Sequence, residues 1–113
     1  MVTAKLDGGD MHLRYADNLG HEKVFHLGDA PVVIGRVPEC DVTLADDRVS
    51  RRHCEIRLWD GSYAIKDLKS HNGTFINREP VEIAILKPGD RIGVGDAVTV
   101  NFEGDSDDAE TYR

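Results

Sequence analysis

The sequence predicts an all-β fold, a sandwich or a barrel built from roughly ten short strands. Three observations carry this. No window of a dozen residues places apolar side chains at i, i+3, i+4 and i+7 between plausible caps, so nothing supports a helix. Runs of strand length with alternating or β-branched character recur instead. Turn residues punctuate the chain at intervals of roughly 8–12 residues, the spacing of sheet-on-sheet folds.

Taken in order, "MHLRYA" alternates and sets Met11, Leu13 and Tyr15 on one side. "EKVFHL" follows an Asn-Leu-Gly turn, "APVVIGR" is a β-branched run, and "DVTLAD" alternates Val42 with Leu44. The clearest strand begins after "VSRRH": Cys54, Ile56 and Leu58 face one way, and Glu55, Arg57 and Trp59 the other. Asp60-Gly61 makes a tight turn into "SYAIKDL". "GTFIN", "VEIAIL", the turn "KPGD", "RIGVG" and "AVTVNFE" complete the series.

With 113 residues the chain suits a single domain. Its formal net charge of -7 disfavours nucleic acid and anionic membranes as partners, because both select positive surface. Much of that charge sits in the stretch "EGDSDDAETYR" from Glu103 to Arg113, which has five acids against one arginine. Such composition predicts a disordered tail or linker. The predicted division is an extension at 1–9, a folded domain at 10–103 and an acidic tail at 104–113. No apolar run approaches the roughly 20 residues that span a bilayer, and the N-terminus lacks a secretory h-region. Cys40 and Cys54 fall outside any C-x-x-C pattern and read as buried, reduced thiols, which places the protein in the cytoplasm. Nothing predicts a metal site or a cofactor.

Three segments at strand ends share one chemistry. They are Gly35-Arg36, Ser50-Arg51-Arg52-His53 and Ser70-His71-Asn72-Gly73-Thr74. Glycines let backbone approach a ligand closely; arginines, hydroxyls and amides supply donors. Local periodicity does not say that these loops meet. If they do, they form a cationic, donor-rich pocket suited to a phosphate dianion. The competing reading of Arg36 is a strand-end arginine paired with Glu39 or Asp41.

The ordered set "IGR" at 34–36, "VSRRH" at 49–53, "SHNGTFIN" at 70–77 and "LKPGDRIGVG" at 86–95 resembles the forkhead-associated (FHA) domain signature over about residues 10–103. The resemblance implies a two-sheet β-sandwich of about ten to eleven short strands, with binding loops at one end that take phosphothreonine peptides. It assigns Arg36, Ser50 and Arg51 to the phosphate and Asn72 to the peptide backbone. His71 stands where many relatives offer a small hydroxyl to the phosphate. Arg48 sits where the side chain three positions after the phosphothreonine is read. Gly35, His53, Gly73, Thr74 and Asn77 shape the loops, and Arg52 lies on the surface.

The implied partner is therefore a phosphothreonine-containing protein, marked by a Ser/Thr kinase. Phosphorylated Thr111 in the acidic tail is a further candidate, by self-binding. The rival function is a scaffold of the same fold that captures proteins or oligomerises without phosphate. An enzyme would have to draw on Ser50, His53 and Asp67, yet nothing supplies a nucleophile elbow, and no helix follows "GVGD" to make a phosphate-cradling loop. The prediction is a binding module, not an enzyme.

Overall fold

The computed structural model describes residues 11–104, which form eleven strands in two sheets; the segments 1–10 and 105–113, Thr111 among them, lie outside the described residues. The six-stranded sheet runs β2 (Glu22–His26), β1 (Met11–Ala16), β11 (Val98–Gly104), β10 (Arg91–Val94), β7 (Thr74–Ile76), β8 (Glu79–Val81). The five-stranded sheet runs β4 (Val42–Thr43), β3 (Val32–Gly35), β5 (Cys54–Trp59), β6 (Ser62–Asp67), β9 (Ile83–Ile85). Neighbours pair antiparallel except β3 and β4, which are parallel. The fold is thus the two-sheet sandwich.

Alternation decides what lies between the sheets. Leu13, Ile34, Val42, Cys54, Ile56, Ile65, Ile92, Val94 and Val100 are buried to 1% exposure or less, and Phe102 to 2%. Each contributes on the order of 1.5–3 kcal/mol by leaving water, if fully buried. On β5 the predicted faces appear as expected, with Cys54 and Ile56 inside and Arg57 and Trp59 outside. Tyr63 stands edge-on to Phe102, with ring centroids 6.0 Å apart, and its hydroxyl donates to the Gly28 carbonyl. Cys40 and Cys54 are free and buried, and burial pushes the Cys54 thiol up to about 12.

One strand of the sequence reading is corrected. "VEIAIL" is not a single strand. Val81 ends β8, which pairs with β7 in one sheet, while Ile83 begins β9, which pairs with β6 in the other. The chain crosses between sheets at Glu82, whose carbonyl accepts the Asp67 N–H. Pro80, which has no N–H to give, is tolerated because β8 is an edge strand.

Register explains why the loops that carry the donor clusters share one end. Ile34 near the end of β3 pairs with Cys54 at the start of β5, and Cys54 pairs with Asp67 at the end of β6. In the other sheet, Thr74 at the start of β7 pairs with Val94 at the end of β10. The loops after β3, before β5, between β6 and β7, and after β10 therefore emerge together.

At the opposite end, Asn77-Arg78 turns β7 into β8 with φ of 51° and 75°. Positive φ at both central residues is the type I′ hairpin, which favours asparagine followed by glycine. Asn77 is anchored: its side chain donates to Asp90 and accepts the Arg91 N–H. Arg78 holds a left-handed conformation that costs an L-residue roughly 1–2 kcal/mol. Arg78→Gly, offset in part by a freer unfolded chain, should raise stability by about 0.5–1 kcal/mol and the melting temperature by a few degrees. Thermal denaturation checks this; an unchanged or lower midpoint contradicts it.

Candidate functional site

The site begins with a close approach of two chain segments. Gly35 ends β3 directly beneath the Arg51 carbonyl; a Cβ built on it would lie 2.0 Å from that oxygen and 2.7 Å from Cys40 Sγ. The next N–H, of Arg36, is shared between the carbonyls of Ser50 and Arg51 at 3.0 and 3.1 Å. Cys40 Sγ–H donates to the same Arg51 carbonyl. The first two predicted clusters are thereby fastened together by backbone, with glycine as the residue that permits it.

Arg36 then turns its side chain along the second cluster. Its Nε–H donates to the Val49 carbonyl at 2.9 Å, which fixes the plane of the guanidinium and leaves the terminal nitrogens free to donate elsewhere. Neither Glu39 nor Asp41 pairs with it; the Asp41 carboxylate accepts the Val33 N–H instead. Among the described residues Arg36 has no ion pair.

The third cluster joins through Ser50 and His53. The His71 N–H donates to Ser50 Oγ at 3.0 Å, so the serine oxygen is used as an acceptor while its hydrogen can still be given to a ligand. His53 is fully buried. Its Nδ1 accepts the Ser50 N–H at 3.0 Å, so Nε2 carries the hydrogen that is given to the Gly73 carbonyl at 2.7 Å. The imidazole is a brace between sheets, and neither nitrogen faces the Ser50 hydroxyl as a base would.

Asn72 donates from Nδ2 to the Arg48 carbonyl at 2.9 Å, leaving its amide oxygen and second N–H outward. Arg48 is exposed; its guanidinium reaches Asp46 and the Asp96 carbonyl, each at 3.4 Å. Arg51 and Arg52 are exposed, and so is His71, which enters the site by its backbone. Thr74 is buried and donates to Asp67. Asn77 stands apart, at the far end of β7.

Two residues of the site were given no part in shaping it by the sequence. Asp67 is the hub of the third loop, taking hydrogen bonds from the hydroxyls of Ser70 and Thr74 and from the Ser70 N–H. Partial burial alone would push its carboxyl up; those donors outweigh it and hold it below the ordinary range. The spacing Asp67, Ser70, Thr74 was the available signal, a carboxylate just ahead of two hydroxyls. Gly95 is the other. Its φ is 66°, a Cβ there would lie 2.7 Å from the Arg48 carbonyl, and its N–H donates to the Gly73 carbonyl.

A sandwich that gathers cationic and amide donors on loops at one end defines a β-sandwich recognition module. The chain belongs to the FHA domain family, whose pattern matches residues 32–95. It is similar to the oxoglutarate dehydrogenase inhibitor of Corynebacterium diphtheriae, 39% identical over 103 residues, or 91% of this chain and 71% of that one. It is also similar to the glycogen accumulation regulator GarA of Mycolicibacterium smegmatis, 45% identical over 71 residues. That match covers 63% of this chain and 45% of GarA, so the chain spans less than half the length of that relative. Among solved structures, an FHA domain studied for phosphothreonine-dependent interactions superposes with a TM-score of 0.73 at 33% identity. It covers 82% of this chain and 94% of that one. The FhaA FHA domain, solved in a complex, gives 0.72 at 36% identity, over 82% and 99%.

Proposed function

We propose that this chain binds phosphothreonine peptides and so recruits proteins marked by a Ser/Thr kinase. The observation that carries the reading is convergence: Arg36, the Ser50 hydroxyl and Asn72, remote in sequence, stand on loops hydrogen-bonded to one another. FHA domains as a class read phosphorylated motifs through arginine clusters. A phosphothreonine brings roughly -1.5 to -2 charge and three acceptor oxygens. Arg36, Ser50 and Arg51 are the donors proposed for it, with the outward His71 side chain as a further contact. Asn72 holds the peptide backbone beside it, and Arg48 meets the residue three positions later.

Hydrogen bonds to charged groups contribute about 1.5–3 kcal/mol each. Several of them, less the cost of ordering a flexible peptide, give affinity around micromolar, suited to a reversible reader. We read the chain as a binder and not a catalyst, because both nitrogens of His53 are committed to backbone groups. No helix among the described residues is long and apolar enough to cross a membrane. The free thiols of Cys40 and Cys54 are in keeping with the cytoplasm as its compartment. A role in regulation would match the names of its relatives, one an inhibitor and one a regulator.

Titration with peptides that differ only in carrying threonine, phosphoserine or phosphothreonine tests this. The unphosphorylated peptide should not bind measurably. Phosphothreonine should exceed phosphoserine by about four- to tenfold, from the methyl withdrawn from water and the void its loss would leave. Equal binding of all three would refute the reading.

A second reading has one observation in its favour. On the outer face of the five-stranded sheet, Trp59, Ile83 and Ile85 are exposed at 64%, 66% and 45%. Phosphate-independent capture of a protein through that face is the scaffold alternative.

A further inference from the structure

The loop site does not end at Asn72. Gly95 abuts both Asn72 and Arg48, and from Gly95 a trench of about 580 Å³ crosses the outer face of the six-stranded sheet. Its floor is Gly93 on β10. Register places Phe75 of β7 on one side of that glycine and Thr99 of β11 on the other. A Cβ at 93 would already lie 3.3 Å from Phe75 Cβ, so the trench exists because position 93 has no side chain.

The far end is cationic. Arg91 and Arg78 line it, and both are exposed. Neither has an ion pair among the described residues, whereas Arg48 and Arg57 each have one and Arg14 has two. Two unpaired guanidiniums lining one trench are unexpected in a chain of net charge -7. Arg78 also holds φ of 75°, where glycine would sit without strain. Local strain that persists marks positions kept for what the side chain does. The near end differs: Asp96 stands there, beside the Arg48 guanidinium.

We propose that this trench binds the C-terminal continuation of the phosphothreonine peptide, with acidic side chains of that segment reaching Arg78 and Arg91. The proposal rests on the phosphothreonine reading of the loop site. Under it, Arg48 meets the residue three positions after the phosphothreonine, and the residues that follow arrive at Asp96. From Gly95 to Arg91 the strand advances roughly 13 Å, about four residues of extended peptide. Acids are therefore favoured toward the end of that segment, disfavoured at its start beside Asp96, and an apolar residue between them lies over Gly93 against Phe75.

Three peptides with a common phosphothreonine core test this by titration against the full chain. One is the core alone, one adds an acidic C-terminal flank, and one adds the same acids N-terminally. The C-terminal acids should tighten binding by about five- to tenfold, two exposed ion pairs' worth. Arg78→Gly combined with Arg91→Gln should abolish that gain. Arg57→Gln, the loss of a cation from the other sheet, should keep it. A core peptide that binds with no gain from C-terminal acids overturns the proposal, as does an equal gain from N-terminal acids or a gain that survives the double variant. Failure of the core peptide to bind removes the phosphothreonine reading, and the trench with it.

Discussion

Arg36→Ala should weaken phosphothreonine-peptide binding at least ten- to a hundredfold while the protein stays folded. Among the described residues the guanidinium makes one internal hydrogen bond, to the Val49 carbonyl, so the fold loses about 1 kcal/mol when it goes. The ligand loses more. A charge-assisted donor to a doubly charged oxyanion contributes about 1.5–3 kcal/mol, and tenfold in affinity is about 1.4 kcal/mol. Arg36→Lys separates charge from geometry: lysine keeps the cation but not the planar fork, and should recover only part of the affinity. Calorimetric titration of both variants, with circular dichroism to confirm the fold, gives the answer. Undiminished capture of partners by Arg36→Ala would instead point to the face formed by Trp59, Ile83 and Ile85.

How much of this was legible in the sequence depends on range. Strand identity was legible where one face meets the core, as at Cys54, Ile56 and Leu58, because the two-residue period is written locally. The break inside "VEIAIL" was not, since Val81 and Ile83 differ only in which sheet accepts them, and that depends on β7 and β6. The site's donors were legible as residue types, and the family resemblance offered the roles proposed for them. What the sequence could not carry was the fastening between them. The His71 N–H on Ser50 Oγ, the His53 bridge from Ser50 to Gly73, and the Asp67 hub are contacts between loops or around a turn, with no periodic trace. Asp67 drew notice only as a candidate catalytic acid, and its work is to hold the third loop in shape.

Gly35→Ala should damage the fold and the site together, and by more than any loss of a donor. The added methyl would lie 2.0 Å from the Arg51 carbonyl oxygen, a backbone atom that cannot rotate away. Relief requires β3 and the Ser50–Arg51 segment to separate. That motion stretches the shared hydrogen bond from the Arg36 N–H, loosens the Cys40 contact with the Arg51 carbonyl, and pulls Ser50 from the His71 N–H. Overpacking of this kind costs about 1–3 kcal/mol, and the disturbed hydrogen bonds add about 1 kcal/mol each. A total of about 4–6 kcal/mol should lower the melting temperature by roughly 16 °C or more in a domain of this size. Binding should vanish even at temperatures where the variant is folded, because Arg36 and Ser50, the donors proposed for the phosphate, converge only while these two segments touch. Arg36→Ala therefore gives a stable domain that does not bind, and Gly35→Ala an unstable one that does not bind. A Gly35→Ala protein with native melting and native affinity would mean that the approach of β3 to Arg51 does not build the site.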